Sequence, residues 1–357
     1  MKKIFLFAAA LLAFACAKDG GNGDPGFNLG TGVFVCNQGT FTSDDASLSF
    51  YDPAGKTVVK DLFYDANGFP LGNVCQSMAI RGNEGFVVVN NSGKVQVINT
   101  TTGRWIATID GLTSPRYVHF VSDTKAYVSD MYSKSITVIN PQTHKVTGSI
   151  LAGRGTEQMA QWGDYVFAAS YSYNNQIYRI DTRRDEVVDS VTVAKQPNSV
   201  AMDRNGKLWV LSDGGYDGSP YGQEMAALTR IDAATFTVEQ VFPFTSMDAS
   251  PTGLTMNGTR DVLYYVNGSW NQSAAFSRGV FRMNVTATEL PADPFIPEGT
   301  HLFFGLGVHP ATSEVYVSDA LDYQQAGIIY RYNTSGALVD EFRTAICPGA
   351  FCFKTGN

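Results

Sequence analysis

Leu48-Ser49-Phe50-Tyr51-Asp52, Val95-Gln96-Val97-Ile98-Asn99, Thr137-Val138-Ile139-Asn140, Ile177-Tyr178-Arg179-Ile180-Asp181, Leu228-Thr229-Arg230-Ile231-Asp232, Val280-Phe281-Arg282-Met283-Asn284 and Ile328-Ile329-Tyr330-Arg331-Tyr332-Asn333 repeat one pattern. Each is a short alternating run that stops at Asp or Asn and gives way to a polar turn. The seven copies stand 41 to 52 residues apart. Alternation with period two is the pattern of a strand with two different faces. Asp or Asn ends such a strand well, because its side chain can bond the backbone two residues on.

Between these anchors lies a second pattern: a strand that opens near Pro, a turn, and another strand. Ser114 to Phe120 with Ala126 to Asp130, Gln196 to Met202 with Leu208 to Ser212, and Ser250 to Met256 with Leu263 to Asn267 are examples. Each repeat therefore holds four short strands, a to d. Four strands per 40–50 residues or so is the period of a propeller blade. The expected fold is all-β, a seven-bladed β-propeller. The ends say how the ring closes. Gly32 to Cys36 matches a strand b, and Pro348 to Phe353 matches a strand a. The C-terminal strand should complete the first blade and so remove two exposed edges. Residues 32–357 are expected to form a single propeller domain.

Composition agrees. Charged residues are 17% and aromatics 12%, with 35 Gly and 14 Pro, which excludes a disordered, coiled-coil or collagen-like chain. A formal charge of −7 argues against nucleic acid, whose binders need a basic face.

The N-terminus reads as an address. Met1-Lys2-Lys3 is basic, and Ile4 to Ala15 is an apolar run of 12 residues. That is too short to cross a ~30 Å bilayer core as a helix. Leu12-Ala13-Phe14-Ala15-Cys16 resembles a bacterial lipobox. The resemblance makes residues 1–15 a lipoprotein signal peptide, Cys16 the lipidated residue, and residues 16–31 a lipid-anchored flexible tether. An ordinary signal peptide cut near Ala15 is the alternative. Lys18-Asp19 resembles the acidic export signal of surface lipoproteins of the Bacteroides group. The expected location is the outer membrane, exposed at the cell surface.

Four cysteines follow: Cys36, Cys75, Cys347 and Cys352. An envelope compartment permits disulfides. The strand assignments bring Cys36, Cys75 and Cys347 towards one face, and a bond from Cys36 to Cys347 or Cys75 is expected. Buried free thiols are the alternative.

The two faces differ. The a–b and c–d turns are short and polar. The b–c loops are long and aromatic, and carry Phe41, Tyr132, Tyr171, Tyr173, Asn175, Tyr216, Tyr221, Trp270, Asn271, Phe276 and Tyr323. The d–a links of that face add Arg116 and Arg154, with Asn198 and His301. Rigid rings interleaved with amides and glycines are the composition of a recognition surface. These residues are the candidate ligand-binding set. Support for catalysis is thin. The four histidines show no pattern, and His301 has no evident partner in the sequence. No nucleophile-elbow, CxxC or zinc-protease motif occurs. Asp213 and Asp217 could hold a cation with carbonyls, but the stretch is too short for an EF-hand loop. The expectation is a non-enzyme with no intrinsic cofactor or metal.

Val33-Phe34-Val35-Cys36-Asn37-Gln38-Gly39, leading to Asp45 through Asp52, resembles the opening strand pair of the YncE-like seven-bladed propeller lipoproteins of Bacteroides-type bacteria. Ile346 to Phe353 resembles their closing strand. Gln38 stands where that group usually has Glu. The resemblance to BtuG-type members implies a surface lipoprotein that binds cobalamin and passes it to a TonB-dependent outer-membrane transporter. Cobalt would arrive within the ligand. A corrinoid is a broad, partly apolar disc rimmed by amides, which an aromatic, amide-bearing face suits. A propeller receptor for a glycan, peptide or siderophore is the alternative, and a propeller enzyme is further off.

Overall fold

A computed structural model describes residues 26–41, 43–269 and 276–356. They form seven four-stranded antiparallel sheets, each meandering from an inner strand a to an outer strand d. Neighbouring a strands touch around the whole ring, blade 7 to blade 1 and blade 1 to blade 2 included. The seven-bladed propeller is therefore closed.

The repeated Asp or Asn does what its place in the sequence implies. In all seven copies its side-chain oxygen accepts from backbone N–H groups of the turn that follows. Asn99 takes Thr101 and Thr102, Asp232 takes Ala234 and Thr235, and Asp52 takes Ala54. Asn140, Asp181, Asn284 and Asn333 repeat the arrangement.

Closure follows the ends of the chain. Pro348–Lys354 is strand a of the first blade and pairs with Gly32–Asn37, Phe34 opposite Cys352. The core lies between blades rather than at the centre. Seven apolar clusters among the described residues each span one pair of neighbouring blades. Phe351 and Phe353 of the closing strand join the cluster of Val33, Val35, Tyr51 and Tyr316, which welds blade 7 to blade 1.

Two details depart from the reading above. Residues 26–31, assigned to a flexible tether, are docked. Phe27 and Leu29 donate backbone hydrogen bonds to Thr102 and Thr101, and both pack on the cluster between blades 1 and 2. Lys354 Nζ reaches the Leu29 carbonyl at 2.7 Å. Two apolar side chains in this stretch give it a reason to leave water that a polar tether lacks. Residues 1–25, with the signal peptide and Cys16, lie outside the described residues.

The second departure is the disulfide. Cys36, Cys75, Cys347 and Cys352 are all free thiols. Cys36 and Cys75 are fully buried side by side in one apolar cluster. The hydrogen bond that the Cys36 thiol makes to Cys75, together with burial, pushes Cys36 well up, so it stays protonated. Cys347 instead points its Sγ to the Tyr323 carbonyl, 3.6 Å away. Iodoacetamide treatment of the native protein is expected to leave Cys36 and Cys75 unlabelled and both alkylatable after unfolding. Peptide mass spectrometry showing a Cys36–Cys75 or Cys36–Cys347 cross-link would contradict this.

Candidate ligand-binding channel

The site is built by a feature repeated at the start of the inner strands. Most a strands open with a register shift, between Cys75 and Ser77, Pro115 and Val118, Pro197 and Ser199, Thr252 and Thr255, and Phe303 and Leu306. Such a bulge re-aims a side chain. The residues at the head of the inner strands, blade by blade from the second, are Gln76, Arg116, Gln158, Asn198, Thr252, Phe304 and Gly349. All seven line one cavity of about 950 Å³ along the propeller axis. A second tier comes from residues at the end of strand b in six of the seven blades: Gln38, Asn91, Met131, Tyr171, Asp213 and Gly268 line the same cavity.

The cavity has two unlike walls. Blades 2 to 5 supply Gln76, Arg116, Tyr117, Glu157, Gln158, Asn198 and Asp213. Blades 6, 7 and 1 supply Leu254, Phe303, Phe304, Leu306, Val308 and Phe351. Glycine makes the apolar wall close. A Cβ on Gly305 would stand 2.7 Å from the Gly349 carbonyl, so the inner strands of blades 7 and 1 meet backbone to backbone.

The polar wall is a connected network. Arg116 Nε donates to Glu157 Oε2 at 2.9 Å and its Nη1 to Gln76 Oε1 at 2.5 Å. Their side chains are 18% and 4% exposed, so this is a buried ion pair rather than a solvated one. Burial raises the Glu157 carboxyl above the usual range, and Arg116 opposes the shift. Glu157 Oε1 has no hydrogen-bond partner. Next to the pair, the Tyr171 hydroxyl donates to Asp213, which also accepts from the Gly215 backbone N–H at 2.9 Å and bonds Asn198. Burial nevertheless lifts Asp213 to about 6.

The candidate residues separate into groups. Phe41, Arg116, Tyr132, Tyr171 and Tyr323 line the cavity. Phe41 and Tyr132 stand at its mouth, each 72% exposed. Tyr323 meets Phe304 edge-on, with ring centroids 5.6 Å apart. Tyr173, Asn175 and Tyr221 line a separate pocket of about 220 Å³ on the loops of blades 4 and 5. There Tyr173 stacks on Tyr221 at 4.6 Å. Tyr216 lies beside Tyr173, its hydroxyl in hydrogen-bond contact with it. Arg154 is exposed and lies outside both cavities. Phe276 is not a rim residue: it packs on the core cluster between blades 5 and 6. Trp270 and Asn271 lie outside the described residues.

His301 does have a partner, contrary to the reading from sequence. Its Nδ1 lies 2.9 Å from Asp319 Oδ2. Asp319 also accepts from the Leu302 and Leu321 backbones. Asp130 holds the same position in blade 3 and accepts from Thr113, Ser114, Tyr132 and Ser133 in the same way. Asp319 is thus the strand-end hook of its blade, and His301 is attached to that hook. Asp217 is exposed, whereas Asp213 lines the cavity, so the two do not converge on a cation.

Glu157 went unread in the sequence. Aligning the blades exposes it. The position that opens strand a is Cys75, Pro115, Pro197, Pro251, Phe303 or Pro348 in six blades and Glu157 in the seventh. A carboxylate replaces a small or apolar residue at a buried site.

Fold and site together define a closed seven-bladed propeller with an amphipathic axial cavity. The chain belongs to the family described as the domain of unknown function DUF5074, which matches residues 31–346. No curated protein matches it. Among solved structures it is similar to a quinoprotein alcohol dehydrogenase-like protein from Bacteroides thetaiotaomicron, at 15% identity, TM-score 0.68, covering 90% of this chain and 78% of that one. It is also similar to the hydrazine synthase of Kuenenia stuttgartiensis, at 16% identity and TM-score 0.64, covering 77% of this chain and 87% of that one. A functionally unknown protein from Desulfotomaculum acetoxidans aligns over 91% of this chain and 99% of its own, at 12% identity and TM-score 0.62. At these identities the likeness is one of fold.

Proposed function

We propose that this propeller is a non-catalytic surface receptor that binds a corrinoid at the mouth of its axial cavity and passes it to a TonB-dependent outer-membrane transporter. Lipidation at Cys16 would hold it at the membrane. The observation that carries the reading is the cavity of about 950 Å³ with one hydrogen-bonding wall and one apolar wall. A disc with apolar faces and an amide rim is complementary to such a site. Exposed Phe41 and Tyr132 at the mouth supply rigid area for stacking. The hook role of Asp319 supports reading the His301 pair as structural rather than as catalytic machinery.

Calorimetric titration of the purified protein with cyanocobalamin and cobinamide tests the reading. One-to-one binding is expected. Changing Phe41 and Tyr132 to Ala together should weaken it by roughly tenfold or more, as for aromatic anchors elsewhere. No heat with either corrinoid, and no thermal shift, would remove corrinoids as the ligand.

A further inference from the structure

The polar wall holds more acceptor capacity than the protein uses. Glu157 is 3% exposed, and its Oε1 has no partner although it lines the cavity. Its other oxygen is taken by Arg116. The two charges of that pair cancel, which leaves Asp213 as the surplus charge of this wall. A buried acceptor without a donor costs free energy unless something outside the protein satisfies it. Glu157 borders the cavity but Oε1 itself is covered, so a ligand donor lodged against this wall reaches it by a small shift of the groups that cover it. The carboxylate also stands where the other six blades place Pro, Cys or Phe, so the repeat alone does not call for it.

We propose that Glu157 and Asp213, the latter bonded by the Tyr171 hydroxyl, form a subsite that accepts an N–H donor group of the bound ligand, a carboxamide or an ammonium, and rejects carboxylates. The subsite deepens the receptor reading and rests on it for the identity of the natural ligand, but its own chemistry is testable without a corrinoid. The apolar wall opposite, with Phe304, Leu306 and Phe351, would take the hydrocarbon body that carries the donor. Anionic ligands meet a wall whose one cation is already paired.

The groups around the subsite set its pH dependence. Arg116, Glu157 and Asp213 act on Tyr171; Arg116 and Asp130 act on Glu157; Tyr171 and Asn198 bond Asp213. Asp213 titrates near 6, and its ionised form is the better acceptor. Binding of a donor should therefore strengthen as pH rises through that value.

The test uses the whole protein and three probes of one shape: 2-phenylethylamine, phenylacetamide and phenylacetate, followed by ligand-observed NMR. The amine or the amide, or both, should bind at least tenfold more tightly than phenylacetate. The two arms show which donor is preferred. The combined change Glu157→Gln and Asp213→Asn should bring all three within about threefold. For the wild-type chain, affinity for the preferred donor should fall about tenfold between pH 7 and pH 5, the loss expected when one acceptor near 6 protonates. This arm needs no variant and stands even if the double change unfolds. Phenylacetate binding as well as the donors, failure of all three probes to bind, or selectivity that survives the double change would overturn the subsite. A failure of cyanocobalamin to bind would leave these outcomes unaffected and would count against the corrinoid reading alone.

Discussion

Removing residues 348–357 should abolish cooperative folding, whereas removing residues 1–25 should not. The closing strand, Pro348–Lys354, is the inner strand of blade 1 and pairs along the whole of Gly32–Asn37. Its side chains serve two blade interfaces. Phe351 and Phe353 pack against the cluster of Tyr51 and Tyr316, while Ala350 and Cys352 pack on the cluster shared with blade 2. Burial of one large apolar side chain contributes about 1.5–3 kcal/mol when complete. The two partly buried rings, with smaller contributions from Ala350 and Cys352, therefore amount to several kcal/mol, against a typical total stability of about 5–15 kcal/mol. The truncation also leaves Gly32–Asn37 with an unpaired edge next to the open cavity, a template for aggregation. Circular dichroism melting of the truncated chain should show no sharp transition. A melting temperature within a few degrees of the intact chain would mean that the ring is held by blades 2 to 7 alone.

The same strand shows what could be read in advance. The repeats were legible because each strand states its faces every second residue, and because Asp or Asn marks each turn with its own hydrogen bonds. Closure was legible because the missing strand at one end matched the surplus strand at the other. The rim was legible only in part. Phe41 and Tyr132 are where their loops suggested, at the mouth. Phe276 is not, because an aromatic ring in a long loop can face the solvent or the blades beneath, and composition does not distinguish the two. Arg116 was assigned to the loop face and indeed lines the cavity, but as a buried member of a network. The bulge at the start of strand a turns it inward, and nothing in the residues Ser114-Pro115-Arg116 announces a bulge. Its partner Glu157 sits 41 positions away in the next blade, in a segment with no Pro to mark the strand start. Finding it needed the blades laid over one another. Cys36 and Cys75 come together as their strand assignments imply, but whether two thiols bond depends on side-chain direction at the strand ends, and that is set by packing.

Arg116→Met should cost about 3–5 kcal/mol, the loss typical when one partner of a buried pair is removed. Methionine keeps most of the side-chain volume, so the cost would be electrostatic rather than a cavity. Glu157 would be left ionised in a site where burial already raises its carboxyl and where Arg116 is the cation that opposes the shift. Gln76 Oε1 would also lose the guanidinium that it accepts from. The sign of the pH dependence identifies the cause. In the variant the folded-state value of Glu157 lies further above its unfolded value, so the folded state binds this proton more tightly. Stability lost at pH 7 should therefore return as pH falls through the raised value towards the unfolded one. A carboxylate held below its usual range would behave in the opposite way and lose stability on acidification. Adding Glu157→Gln to Arg116→Met should recover most of the loss at pH 7 and flatten its pH dependence, because the charge that lacks a partner is gone. Urea unfolding of the two single variants and the double variant at pH 5 and pH 7 measures both effects. If the double variant is as unstable as Arg116→Met at both pH values, the guanidinium acts through packing and its bond to Gln76, and the ion pair with Glu157 is not what holds blades 3 and 4 together at the channel wall.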